Sequence, residues 1–303
     1  AEVVATGTAY VRKGISLGSN HVIPLRKPAV AMAWDEPTSS YAAGHARFVL
    51  ERQVGYPVTP IRTRNLASPR VELDRFDVLV LPTSRGGYAA ALGEQGMARL
   101  KAWVSAGGTL IAIGGAVADL ADPKADLLSI SREYLPSEEK KEAGKKEEER
   151  KARVPGDLLE KEEDWKKAIT PEKDTPDSVP GVLVRAKLDP DNWVTAGLPE
   201  EVVVLVQGGA IYTPVKLDKG VNAAIYKGAD ELLASGHLWE ENRKQLAYKP
   251  FVVVQKTGRG NVVGFTADPT YRAYMDGLNM LFVNAIFRSQ PQARRGRGEQ
   301  EWR

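Results

Sequence analysis

Short, wholly apolar runs alternating with helical repeats constrain this chain most. Val30-Ala31-Met32-Ala33-Trp34, Phe76-Asp77-Val78-Leu79-Val80-Leu81-Pro82 and Thr109-Leu110-Ile111-Ala112-Ile113 hold too few polar residues to leave one face in water. Runs of this kind suit strands of a parallel sheet buried on both faces. Val58 to Ile61 supplies another strand. Between them, Ala42, Ala46, Val49, Leu50 and Val54 recur at helical spacing, behind a Ser39 or Ser40 cap and ahead of Gly55. Met97, Leu100, Trp103 and Val104 likewise share one face of a helix over 94–106. Strands that alternate with such helices require βαβ crossovers, so the expected fold class is α/β, a doubly wound, mostly parallel sheet.

Later in the chain the pattern changes to strands alone. Gly181-Val182-Leu183-Val184, Val202 to Val206, Val221 to Tyr226 and Phe251 to Gln255 are β-rich, and Gly258-Arg259-Gly260-Asn261 is a hairpin turn before Val262-Val263-Gly264-Phe265. Tyr274, Leu278, Leu281, Phe282, Ala285 and Ile286 give a broad apolar face to a helix expected from Tyr271 to Phe287. Residues 1–27, with Gly14 and Gly18 between alternating segments, are expected to form N-terminal strands or a linker. Glu and Lys dominate from Ser137 to Arg153, so 137–167 reads as an exposed charged helix or mobile insertion, or as a partner-binding arm. Pro171, Pro176 and Pro180 close this insertion. The α/β domain therefore spans 28–288, interrupted at 137–180, and 289–303 is a basic, Arg-rich tail expected to be disordered.

Composition excludes several function classes. A net charge of +3 over 303 residues gives no general argument for nucleic-acid binding. No apolar run approaches the roughly 18 residues that span a bilayer. The absence of cysteine rules out disulfides, thiolate metal sites and a Cys nucleophile without deciding the compartment. Ala1 to Gly7 lack a basic segment followed by an apolar core, so no signal peptide is visible.

Ligands of open α/β sheets bind outside the carboxyl ends of the strands. The residues expected there are Asp35 and Glu36, then Thr83, Ser84 and Arg85, then Gly114 and Gly115, and finally Asp268. Together they would hold a polar ligand or a peptide end. Arg85, beside Ser84 and Gly86-Gly87, is the candidate for a small carboxylate, since a guanidinium offers a bidentate fork. Asp268 and Arg272 are expected to form the opposite wall, with Asp268 near the positive end of the last helix. The competing reading makes Asp35 and Asp268 helix caps, neutralised by Arg85 or Arg272. At the turn after the strand ending in Ile113, where a sharp strand-to-helix elbow would present a nucleophile, the chain has Gly114.

The histidines are His21, His45 and His237. His45 is expected on the surface of the first helix. His237 and Glu240 match a two-ligand H-x-x-E spacing, yet no histidine follows to complete a zinc site. Ser84 has no histidine placed opposite it, and Gly86-Gly87 and Gly208-Gly209 match no phosphate-binding fingerprint. No catalytic residue, metal-ligand set or cofactor motif is therefore assigned.

Two stretches carry a resemblance. Phe76 to Pro82 together with Leu100-Lys101-Ala102-Trp103-Val104-Ser105-Ala106-Gly107-Gly108-Thr109-Leu110-Ile111-Ala112-Ile113 resembles the class I glutamine amidotransferase-like fold, a flavodoxin-like architecture. In that family the next position carries the nucleophilic Cys, and this chain departs from it at Gly114. Ser235-Gly236-His237-Leu238-Trp239-Glu240-Glu241-Asn242 and the segment from Gly258 to Tyr274 resemble the C-terminal amidotransferase-like region of bacterial M14-type zinc carboxypeptidase-like proteins. The resemblance covers roughly 28–120 and 180–288. It implies an accessory, non-catalytic binding or scaffolding domain beside an upstream zinc peptidase domain, in a periplasmic or extracellular setting. The alternatives are a cysteine-free hydrolase using Asp35, Glu36 or Asp268 as acid and base, and a protein-interaction module acting through the charged insertion.

Overall fold

The computed structural model of the chain describes residues 5–19, 22, 25–133, 135–136, 161, 163, 173–174 and 178–289. His21, nearly all of the charged insertion and the tail from residue 290 lie outside the described residues.

The apolar runs become the centre of one ten-stranded sheet. Its parallel half is β1 (Val30–Trp34), β2 (Thr59–Arg62), β3 (Val78–Leu81), β4 (Thr109–Ile113) and β12 (Gly260–Phe265), in the spatial order β12-β4-β3-β1-β2. Period-two alternation in these strands divides the core. Val30, Met32, Val78, Val80, Ile111, Ile113, Val263 and Phe265 face one hydrophobic layer. Ala31, Ala33, Leu79, Leu81, Leu110, Ala112 and Val262 face the other. Helix α1 (Ser40–Phe48), continued by a π-turn to Gln53, packs on the first face, as does the last helix, α7 (Asp276–Phe287). The second face is covered by α2 (Thr63–Leu66), α3 (Tyr88–Ser105) and α4 (Gly115–Ala121). This is the doubly wound arrangement expected, because a strand apolar on both sides needs helices on both sides.

Beyond β12 the sheet continues antiparallel through β11 (Pro250–Thr257), β9 (Val221–Tyr226) and β7 (Val179–Leu188), with β8 (Glu201–Gly208) and β10 (Leu233–Ser235) also paired to β7. Short helices α5 (Ala229–Leu232) and α6 (Glu240–Leu246) decorate this half. Two short strands, β5 (Leu135–Pro136) and β6 (Lys173–Asp174), pair with each other at the ends of the insertion.

Two expectations are refined and one is corrected. Of the two alternatives for the N-terminal segment, strands or a linker, residues 5–19 have turns and bends with no strand among them, with Leu17 N–H donating to Ala9 O at 2.9 Å. The helix expected over 94–106 is the longer part of α3, and a further helical stretch from Tyr88 precedes it across a non-helical Gly93 (φ 64°, ψ 178°). The last helix starts at Asp276, so Tyr274 lies outside it, and Tyr271–Ala273 is a 3-10 turn in which Arg272 has φ 51°.

Candidate functional site

At the carboxyl ends of the parallel strands two adjoining hollows share Ser39 and Tyr41. The larger, about 790 Å³, lies between the loop after β1 and the start of α3 and includes Asp35, Glu36, Arg85, Gly86 and Gly87. The smaller, about 290 Å³, is lined by Thr83, Gly114, Gly115 and Asp268, and by His45 from α1. The β8–β9 side of the sheet closes it with Val206, Gln207 and Tyr226. Ser84 and Arg272 line neither hollow.

Gly114 decides what the smaller hollow can do. The residue sits between β4 and α4 at φ 55° and ψ −119°, and its N–H donates to Phe265 O at 2.7 Å. A Cβ built there would fall well inside the contact radius of Thr83 Oγ1. Thr83 is itself fixed, donating to Ile113 O at 3.2 Å. The threonine hydroxyl thus occupies the space that a nucleophile's Cβ would need.

Local duties account for several carboxylates. Asp35 Oδ1 accepts the Thr63 N–H at 2.9 Å, at the start of α2. Asp268 Oδ1 accepts both the N–H and the hydroxyl of Thr270, at 2.8 and 2.7 Å. It is eight residues from the α7 start, so the expected placement at that helix's positive end is not realised. Arg272 does not neutralise it either: its guanidinium lies 5.3 Å from the Tyr271 ring centroid. The Arg85 N–H donates to Pro37 O at 2.8 Å, while its guanidinium is exposed and has no ion-pair or hydrogen-bond partner among the described residues.

Sequence reasoning missed two residues. Asp119, on α4, accepts the N–H groups of Tyr88 and Ala89 at 2.9 and 3.2 Å and the Ser84 hydroxyl at 3.4 Å. It therefore fills the positive N-terminus of α3, where an anionic ligand would otherwise be drawn. His45 is not a surface residue: its side chain is 19% exposed, and Nδ1 is buried 3.6 Å from Asp268 Oδ2, beyond hydrogen-bond length. Its ring meets Tyr271 edge-on, with centroids 5.5 Å apart. Beneath the site the Tyr88 hydroxyl donates to Pro82 O at 2.9 Å and accepts from Thr38 at 2.8 Å, and burial holds this phenol far above its usual range.

His237 and Glu240 line neither hollow. His237 stacks edge-on with Trp239, and Glu240 pairs with Lys244 at 2.6 Å. No helix among the described residues is long and apolar enough to cross a membrane.

No family model matches the chain, and no curated protein matches it in sequence. Solved structures do. A ThuA-like protein from Parabacteroides merdae is 10% identical, over 87% of this chain and 90% of that one, with a TM-score of 0.54. A cytoplasmic protein from Salmonella typhimurium LT2 is 12% identical over 86% of this chain and 98% of that one, with a TM-score of 0.50. A glutamine amidotransferase from Thermotoga maritima is 10% identical over 90% of this chain and 93% of that one, with a TM-score of 0.45. At these identities the likeness is one of fold alone, and it is carried by the two structures with TM-scores of 0.54 and 0.50, with which this chain shares its α/β architecture.

Proposed function

We propose that this chain is a ligand-binding domain that uses an amidotransferase-like scaffold without covalent catalysis, receiving a small carboxylate or the carboxyl end of a peptide beside Arg85. The observation that carries the first half is the Thr83 hydroxyl standing where a side chain at position 114 would begin. The second half rests on an unpaired guanidinium at the rim of a hollow of about 790 Å³. Arginine pairs with carboxylates by two parallel N–H···O bonds, which gives orientation as well as affinity. Asp119 supports the choice of Arg85, because it leaves the α3 N-terminus no capacity for a second anion.

Calorimetric titration with N-acetyl-dialanine and with its C-terminal amide tests this directly. The free carboxylate should bind at least about tenfold more tightly, and Arg85→Ala should erase the difference while leaving the melting temperature within about 1 °C, since an exposed side chain adds little to stability. Equal affinities in the wild type would refute carboxylate recognition, and metal-independent turnover of glutamine would refute the non-covalent reading.

The hydrolase alternative is less well supported, because Asp35 and Asp268 line different hollows and each accepts a backbone N–H. Attachment to an upstream zinc peptidase domain, and a periplasmic or extracellular setting, rest on the sequence resemblance alone. The reading frame preceding Ala1 tests both.

A further inference from the structure

The two hollows differ in their charged groups: the larger holds Arg85 together with Asp35 and Glu36, and the smaller has neither lysine nor arginine in its lining. In the larger, the Arg85 guanidinium has no partner among the described residues, and Asp35 is already engaged by the Thr63 N–H. In the smaller, Asp268 and His45 are the ionisable groups other than tyrosines, and neither lysine nor arginine ion-pairs with Asp268 among the described residues. The two oxygens of Asp268 differ in their use. Oδ1 is spent on Thr270, while Oδ2 faces only the imidazole Nδ1 at 3.6 Å, too far for a hydrogen bond. The carboxylate is only 14% exposed. Oδ2 keeps solvent access from the hollow, while His45 Nδ1 beside it is the buried atom without a partner, so a donor that enters the hollow can reach the carboxylate and form a charge-assisted hydrogen bond.

The chemistry of the walls selects the donor. An anion entering this hollow would meet the Asp268 carboxylate, which has no lysine or arginine partner among the described residues. A primary ammonium would instead donate to Oδ2 and to the Gln207 amide oxygen, and its charge would lie among the rings of Tyr41 and Tyr271, which attract cations. The Tyr271 ring already holds the Arg272 guanidinium at 5.3 Å. Ser39 and Tyr41 line both hollows, so one ligand can run from the first into the second.

We infer that the smaller hollow is an ammonium site and that the ligand is a zwitterion, a short peptide whose carboxylate meets Arg85 and whose α-amino group meets Asp268. The inference rests on the carboxylate reading of Arg85 and adds the second anchor. Chain length is the free variable, because an extended peptide spans about 3.3–3.6 Å per residue. Free alanine peptides of two to four residues therefore serve as probes.

The test blocks one terminus at a time. Each alanine peptide is titrated free, N-acetylated, C-amidated and blocked at both ends, against wild type, Asp268→Asn, Glu36→Gln and Arg85→Ala. Asparagine keeps an oxygen for Thr270, so Asp268→Asn should melt with the wild type and report binding alone. At the best length, acetylation should weaken binding to wild type about tenfold or more, as expected for loss of a charge-assisted hydrogen bond. In Asp268→Asn the acetylated and free peptides should bind equally within about twofold, with the benefit of a free carboxylate retained. Arg85→Ala should show the converse pattern. An amine effect that survives Asp268→Asn and disappears in Glu36→Gln would overturn the inference, by placing both ligand charges in the larger hollow. Indifference of the wild type to acetylation would overturn it too, while leaving the carboxylate reading standing. Indifference to both blocks would remove both.

Discussion

At the scale of single residues, the geometry turns a missing side chain into a steric statement. Position 114 combines φ 55° with a wall formed by Thr83 Oγ1, so any L-residue there is strained twice. Gly114→Cys should therefore destabilise the protein by about 2–4 kcal/mol and yield no glutaminase activity, as judged by thermal melts and ammonia release. Thr83→Ala introduced alongside should recover part of that loss, and additivity of the two changes would show that the clash is not the cause. The glycine itself was legible as a gap after an apolar strand, but the hydroxyl that fills the space was not, because its contact spans 31 positions of sequence that only the β3–β4 pairing brings together. His45 was more legible than our reading allowed. It stands three residues after Ala42 and four before Val49, on the stripe that packs against the sheet, so helical spacing already turned it inward. Asp119 gave no such signal: the N–H groups it satisfies lie 30 and 31 residues upstream, and nothing local distinguishes it from a solvated helix carboxylate.

At the scale of elements, the β11–β12 hairpin is locked to the α3–β4 turn by its backbone and by the Arg259 guanidinium, which donates to Ala106 O at 2.8 Å. Asn261 N–H donates to Gly108 O at 3.2 Å and Arg259 N–H to Ser105 O at 3.0 Å. A Cβ at Gly260 would collide with the carbonyl oxygens of both Gly108 and Val104. Backbone cannot move aside as a flexible side chain can. Gly260→Ala should thus cost about 2–3 kcal/mol and lower the melting temperature by roughly 5 °C, although the residue is far from either hollow. A melt unchanged within 1 °C would show that the turn is looser than this packing implies. The same glycine-rich spacing announced the hairpin in the sequence, since turn residues between two apolar runs act locally. The start of the last helix was misread for the opposite reason. Apolar residues at Tyr274 and Leu278 continue the helical rhythm backward, but Arg272 and Ala273 take φ 51° and 54°, which breaks the helix whatever the periodicity says. The consequence reaches the site, because that break carries Tyr271 to the smaller hollow.

At the scale of the whole molecule, the parallel half and its antiparallel extension share one sheet and one of the two core layers, so they should lose structure together. Three buried phenols distributed over both cores report on that coupling: Tyr88 and Tyr212 on one face, Tyr226 on the other. Burial raises all three from the ordinary value of 10.0, Tyr212 to about 12. In the unfolded chain these groups ionise near pH 10, while the fold keeps them neutral, so above pH 10 the unfolded state binds fewer protons and is favoured. Their contribution to stability is therefore complete below pH 10 and is lost as pH rises from there to the folded values. Melts recorded between pH 8 and pH 12 should show a flat melting temperature up to about pH 10 and a steep fall beyond it, as one transition. Tyr212→Phe should make that fall shallower, because one of the three ionisations is removed while the ring remains to fill the core. A fall that begins well below pH 10 would assign alkaline unfolding to other groups. Two separate transitions would mean that the antiparallel extension melts independently of the sheet on which both hollows depend.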